Sequence, residues 1–147
     1  MSVLKSQRSE SKLEVLCKAE ELAVYTIKVC KNEKRFPKRD RWILTQKIVN
    51  ETLDTLTCIK RANATYVTTA EEYTYRRGQQ TEAYAHAEAM LTLVEIAYQV
   101  LGIEAEKIEY WTGLIKTVEE KIQSWKKSDK ARYKNIGADG SLPESGD

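Results

Sequence analysis

The fold is decided by the stretch Arg35-Phe36-Pro37-Lys38-Arg39-Asp40-Arg41-Trp42, which lies between two long segments of helical periodicity. Pro37 fixes its own φ and disfavours the α region for Phe36, so a helix should stop before this point. The first helix is therefore predicted to end near residues 32–34, and a second helix to begin at Pro37 or Lys38. We call residues 31–41 the proline corner.

The proline corner carries six cations and two acids (Lys31, Lys34, Arg35, Lys38, Arg39 and Arg41 against Glu33 and Asp40). Several of these cations sit near the positive end of the second helix dipole, which opposes the usual electrostatic preference. One interpretation is that the corner meets an anionic partner. The alternative is a solvated corner whose nearby acids make the cations tolerable.

Apolar side chains spaced three and four residues apart predict four helices. In the first helix, one apolar stripe is expected to face the core, and Val15, Leu22 and Val29 widen it. The members of the stripe are Leu13, Leu16, Cys17, Ala23, Val24 and Ile27. The second runs to about Ala64, and the third is capped by Thr68 or Thr69 and ends at Gly102. The fourth has the cleanest period (Ile108, Trp111, Ile115, Val118, Ile122, Trp125), and its two tryptophans are predicted to be core.

Short connections make sequential helices antiparallel neighbours, so the predicted fold class is all-α, an up-down-up-down four-helix bundle over residues 10–134. Residues 1–9 and 135–147 lack such periodicity and are expected to be disordered tails. The 147 residues fit one domain. More apolar faces are present on the first two helices than a monomer needs to bury, which indicates self-association.

The composition of the chain limits the classes of function that it can have. The chain has 24 basic and 22 acidic residues, a net charge of +2, so any basic surface must arise from segregation. The three cysteines form no CxxC pair and are expected to be small buried hydrophobes in a reducing cytoplasm. No apolar stretch is long enough to span a bilayer, so no membrane association is predicted.

Chemistry-bearing motifs are sparse. His86 is the only histidine and is expected at the boundary of the core. The glutamates of the third helix supply no Glu-x-x-His pair, and Glu20 and Glu51 are single carboxylates without a histidine partner. The sequence therefore predicts no metal, no cofactor and no catalytic residue. An enzyme built on carboxylates would need convergent acids with raised pKa values, whereas nearly all acids fall on polar faces.

Basic residues concentrate in two zones. Residues 28–61 hold ten basic residues against four acids, and residues 121–134 hold six against Asp129 alone. Such zones neutralise phosphates without reading sequence. Tyr66, Tyr73 and Tyr75, next to Arg76 and Arg77, either stack on exposed bases or belong partly to the core.

Three stretches resemble the Avd accessory proteins of diversity-generating retroelements, within a four-helix-bundle family that also holds the intervening-sequence proteins of ribosomal RNA genes. They are the corner leading into helix two (residues 35–44), the helix end Ile59-Lys60-Arg61-Ala62-Asn63 and the closing Ile122-Gln123-Ser124-Trp125-Lys126-Lys127-Ser128. The resemblance covers about residues 10–134. The Asn-Ile-Ala-Glu-Gly type of segment usual in the intervening-sequence branch is replaced here by Asn63-Ala64-Thr65-Tyr66-Val67.

The resemblance implies a homopentameric barrel without an active site that binds a reverse transcriptase and its template RNA during mutagenic cDNA synthesis. The implied contacts to RNA or polymerase are the basic residues Lys34, Arg35, Lys38, Arg39, Arg41, Lys60, Arg61, Arg76, Arg77, Lys126 and Lys127. Two alternatives stay open: a helical scaffold that binds only protein, and an intervening-sequence-type bundle protein of unknown role.

Overall fold

The chain is all-helical throughout the part that the structure describes. A computed structural model describes residues 10–138, with their side chains from Glu14 to Ile136. The α-helices are α1 (Glu10–Cys30), α2 (Gln46–Ala64), α3 (Ala70–Leu101), α4 (Ala105–Arg132) and α5 (Lys134–Ala138). A 3-10 turn (Lys38–Asp40) and a π-helical turn (Arg41–Thr45) lead directly into α2. The predicted all-α class is confirmed.

Local chain chemistry sets most of the helix boundaries. Thr69 caps α3 in a reciprocal capping box: its side chain accepts from the backbone N–H of Glu72, whose carboxylate accepts from the backbone N–H of Thr69. Gly102 ends α3 in the left-handed conformation with φ of 69°. Both caps were predicted. The first helix ends at Cys30, two residues earlier than expected, because turn bonds take over from Asn32 onward.

The four long helices pack together around one core. α1 contacts α2 and α4, and α3 contacts α2 and α4. The α3 stripe of Ala83, Ala87 and Ala97 is fully buried, so small side chains let the neighbouring helices approach closely. Trp111 and Trp125 of α4 are also fully buried, as predicted.

The buried face of α1 differs in part from the expected one. Cys17 and Val24 are exposed and Thr26 is buried, whereas Val15, Leu22 and Ala23 are buried as expected. The physical reason is the buried indole of Trp111, whose Nε1–H donates to the Thr26 hydroxyl at 3.0 Å. This pairing satisfies both polar groups only if the Thr26 face turns inward. The expectation that all three cysteines are buried is therefore wrong for Cys17 and confirmed for Cys30 and Cys58.

The short helix α5 begins at residue 134, the predicted end of the helical unit, and extends into the predicted tail as far as Ala138. The predicted tail at residues 1–9 and the rest of the other tail, from residue 139, lie outside the described residues. Within the described residues, no helix combines the length and the hydropathy needed to cross a membrane.

Candidate interaction surface

The proline corner is a well-anchored turn. The backbone N–H of Phe36 donates to Asn32 O at 2.8 Å, and the N–H of Lys34 donates to Asn32 Oδ1 at 3.0 Å. Phe36 is buried, and its ring meets the Trp111 ring edge-on with centroids 6.0 Å apart. The polar residues of the corner are thus displayed from a backbone whose position is fixed by the core.

Arg35 ties the corner to the turn between α3 and α4. Its Nε and Nη2 donate to the two carboxylate oxygens of Glu104 at 2.8 and 2.6 Å, a bidentate pairing. The bond from Arg35 lowers the pKa of Glu104 to about 2. The C-terminal end of α1, the start of the α2 segment and the α3–α4 turn therefore lie together, and we call this end the corner pole.

Four further predicted contact residues are exposed at the corner pole: Lys34, Lys38, Arg39 and Arg41. Lys38 Nζ lies 3.8 Å from a Glu33 oxygen, and both side chains are well exposed, so this ion pair is weak. Within the described residues, Lys34, Arg39 and Arg41 form no ion pair. Their charge is available to a partner.

Two large apolar side chains stand beside these cations. Trp42 is 72 % exposed and Ile43 is 70 % exposed, and both belong to the π-helical turn. The turn buries Leu44 instead. π-helical turns inside helices occur frequently at functional sites. A groove of about 460 Å³ lies next to this turn, lined by Phe36, Pro37, Arg41, Thr45 and Val49, among others.

Arg76 is not a surface residue, which corrects its assignment as a contact to RNA or polymerase. It is 2 % exposed, and its Nε and Nη2 donate to Asp129 at 2.6 and 3.1 Å. Its Nη1 donates to the backbone carbonyls of Ala62 and Thr65. The guanidinium also lies 5.3 Å from the centroid of the Trp125 ring. The side chain is buried and makes four internal hydrogen bonds, so Arg76 cannot reach a phosphate.

These Arg76 contacts bring together the end of α2, the start of α3 and the end of α4, which we call the far pole. Lys38 and Lys60 are separated by most of a continuous helical segment, or roughly 30 Å at 1.5 Å per residue. The basic zone of residues 28–61 therefore runs from the corner pole to the far pole, where the zone of residues 121–134 also ends.

The remaining predicted contacts belong to the far pole. Lys60, Arg61 and Lys127 are exposed, whereas Arg77 and Lys126 are half-buried. Arg77 donates to the Tyr73 hydroxyl at 3.2 Å. The three tyrosines proposed for base stacking separate: Tyr73 is buried against Tyr133, while Tyr66 and Tyr75 are exposed.

Among the residues that the structure describes, two acids are buried instead of lying on the expected polar faces. One is Asp129, and the other is Glu119, which is 8 % exposed and lies beside Glu88. Burial, and then the hydrogen bond and charge of Glu88, raise the pKa of Glu119 to about 8. Glu119 is thus largely protonated at neutral pH. Sequence reasoning missed it because its register places it one residue after Val118, at the edge of a clear apolar stripe.

His86 also differs from the expectation. It is half-buried, as predicted, but Glu51 is its partner, with Oε1 at 2.6 Å from the imidazole Nδ1. The inference that Glu51 lacks a histidine partner is therefore wrong. The two residues are 35 positions apart, so no local motif announces the pair.

Comparison of the chain with models of protein families, with curated proteins and with solved structures finds no match.

Proposed function

We propose that this protein is a non-enzymatic cytoplasmic adaptor that binds structured RNA through the corner pole and holds a reverse transcriptase beside it. The observation that carries the proposal is the exposed charge of Lys34, Arg39 and Arg41 on an anchored turn, where these side chains form no ion pair with any described residue. Phosphate oxygens are the natural partners of such cations, and their neutralisation releases counterions. The likeness of this stretch to Avd proteins supports the choice of a retroelement RNA.

Trp42 and Ile43 support a protein partner at the same place. Large exposed apolar side chains flanked by arginines have the composition of a binding hot spot. A polymerase bound to the same RNA would cover the apolar pair while the cations hold the phosphates. Adaptor function needs only this simultaneous contact and no chemistry from the protein itself.

We further propose an up-down-up-down topology and a homopentameric ring. Exposed apolar side chains on three different helices, Val24, Leu53, Ile96 and Val100, support association between copies. In a ring, each protomer would present its own corner pole, so RNA binding would be multivalent and much tighter than for one copy. Light scattering coupled to gel filtration measures the number of copies.

Binding of purified protein to structured RNA across a salt series tests the RNA assignment. The variant Lys34→Gln, Lys38→Gln, Arg39→Gln, Arg41→Gln leaves the structural Arg35 in place. If each cation meets one phosphate, the slope of log affinity against log salt falls by about 3 per protomer engaged. The matched control neutralises Lys18 and Lys116, which lie outside the predicted contact set.

Three results refute or redirect the proposal. An unchanged salt slope and affinity in the four-residue variant would remove the corner pole from RNA binding. An equal loss per neutralised charge in the control variant, which loses two charges where the other variant loses four, would mean that only net charge matters. Affinity no tighter than about 10⁻⁴ M for the unmodified protein would favour the scaffold that binds only protein, which the exposed Trp42 and Ile43 would then serve.

The polymerase assignment has a separate test. A neighbouring gene for a reverse transcriptase, together with an adenine-variable repeat, is expected in the source genome. Co-purification of that polymerase should fail for Trp42→Ser, Ile43→Ser, while RNA binding persists. Retention of the polymerase by this variant would place its contact elsewhere.

A further inference from the structure

Side chains of the metal-ligating type meet between α2 and α3. Glu82 and His86 are one helical turn apart on α3, and Cys58 faces them from α2. One ligand atom from each of these three residues lies within 4.8 Å of the others. The cluster joins a thiol, an imidazole and a carboxylate, whereas ordinary surface clusters consist of carboxylates alone.

Cys58 is the decisive member of this cluster. Its side chain is free and only 5 % exposed, and within the described residues its sulfur has no hydrogen-bond partner. Without a metal ion, the neutral S–H group offers the neighbouring carboxylate only a weak donor, and a thiolate would repel it. A divalent cation would bind the sulfur as thiolate and offset both negative charges.

His86 is held for such a role by Glu51. Glu51 Oε1 lies 2.6 Å from His86 Nδ1, so in the neutral ring Nδ1 carries the proton and Nε2 keeps its lone pair. A carboxylate on the second ring nitrogen is the usual support of a metal-bound histidine, because it fixes the tautomer and raises the basicity of the ligand.

We propose that Cys58, Glu82 and His86 bind a borderline-soft divalent transition metal, with Zn²⁺ as the expected ion. Sulfur, nitrogen and oxygen ligands together suit Zn²⁺, whereas Mg²⁺ and Ca²⁺ take oxygen ligands. Ligands at about 2.0–2.3 Å from a tetrahedral ion are about 3.5 Å apart. The three ligand atoms lie within 4.8 Å of one another, so each side chain would move by about 1 Å or less to reach this spacing.

The site has a route to solvent, because Glu82 is exposed. A water molecule from the solvent would complete the four-coordinate shell. Asp54 belongs to a separate group, with Glu51 and His86. The ion would clamp α2 to α3, at a place separate from the proline corner, so metal binding and RNA binding can fail independently.

Titration of the full-length, untagged protein with Co²⁺ tests the site, because cobalt replaces zinc and reports its ligands by absorption. Unmodified protein should show a thiolate-to-cobalt charge-transfer band that Zn²⁺ abolishes by competition. Cys58→Ser should lose this band, and Cys17→Ser, which alters the exposed thiol of α1, should keep it. Glu82→Gln and His86→Gln should each weaken Zn²⁺ affinity at least tenfold, and Glu51→Gln about 10–100-fold.

Each result of the cobalt titration either supports or overturns the proposed metal site. Glu82 is exposed, so Glu82→Gln keeps the design informative even if Cys58→Ser impairs folding, which circular dichroism reveals. Absence of a charge-transfer band with protein in excess over Co²⁺ would overturn the proposal. So would a band that survives in Cys58→Ser, or Zn²⁺ affinity unchanged in Glu82→Gln and His86→Gln.

Discussion

Replacing Asp129 by alanine should be among the most damaging single changes in the chain. Arg76 and Asp129 are both almost fully buried, and the change strands the Arg76 charge without its carboxylate. Three buried donors, Arg76 Nε, Arg76 Nη2 and Gln80 Nε2, lose their acceptor at once. Breaking a buried pair in this way costs about 3–5 kcal/mol of unfolding free energy.

That loss is large compared with the roughly 5–15 kcal/mol by which domains are stable. With a urea slope near 2 kcal/mol/M, the unfolding midpoint of Asp129→Ala should fall by about 2 M. Urea titration followed by far-ultraviolet circular dichroism measures it. The control is Glu120→Ala, which removes an exposed carboxylate from the same helix and should shift the midpoint by no more than about 0.3 M.

A second variant separates the buried charge from the loss of packing. Arg76→Met, Asp129→Leu removes both charges, and should recover most of the lost stability because no ion is left stranded. The same variant should bind RNA like the unmodified protein, since Arg76 is buried. A loss under 1 kcal/mol in Asp129→Ala, or no recovery in the double variant, would refute the reasoning about the buried pair.

Three further predictions concern other parts of the fold. The raised pKa of Glu119 means that its contribution to stability is present below about pH 4.5 and is lost as pH rises through about 8. Glu119→Gln should therefore be clearly more stable than the unmodified protein at pH 9 and almost equally stable at pH 4, and parallel pH profiles for the two proteins would contradict this. Thr69→Ala should cost about 1 kcal/mol by opening the capping box with Glu72, and equal unfolding midpoints would show that the cap is dispensable. Trp111→Phe should cost about 2–4 kcal/mol because it leaves a cavity and strips Thr26 of its donor, and adding Thr26→Val should then cost little more; chemical denaturation measures all three effects.

The division of the basic residues into structural and exposed ones changes how the surface should be tested. Arg35 and Arg76 both lie in basic runs, yet each has a specific carboxylate partner that stabilises the fold. Charge reversal at either position would damage the protein and mimic a loss of binding. Lys34, Arg39 and Arg41 have no carboxylate partner in the described part of the chain, so their variants report on binding of the partner molecule alone.

Local signals in the sequence were sufficient to predict the helices and where they end. Pro37 marks the corner because its ring constrains two consecutive residues, and Thr69 and Gly102 mark the ends of α3 because capping is decided within four residues. The α4 stripe is equally clear, since a single strongly amphipathic face leaves one way to bury Trp111 and Trp125.

Local signals in the sequence could not predict which residues distant in the chain contact each other. The α1 helix carries apolar residues on more than one face, so its register depended on Trp111, a partner 85 residues away from Thr26. The burial of Arg76 depended on Asp129. The grouping of Cys58 with His86 depended on which sides of α2 and α3 face each other.

The sequence by itself determined that the chain is helical, where its helices turn, and that its cations are concentrated in two zones. These properties follow from backbone sterics, capping and periodicity, which act over a few residues. Only the tertiary structure decided which cations are free, which acids are buried and which ligand-type side chains meet. The physical reason is that burial and ion pairing depend on desolvation by distant residues, and their free energies exist only once the helices have packed.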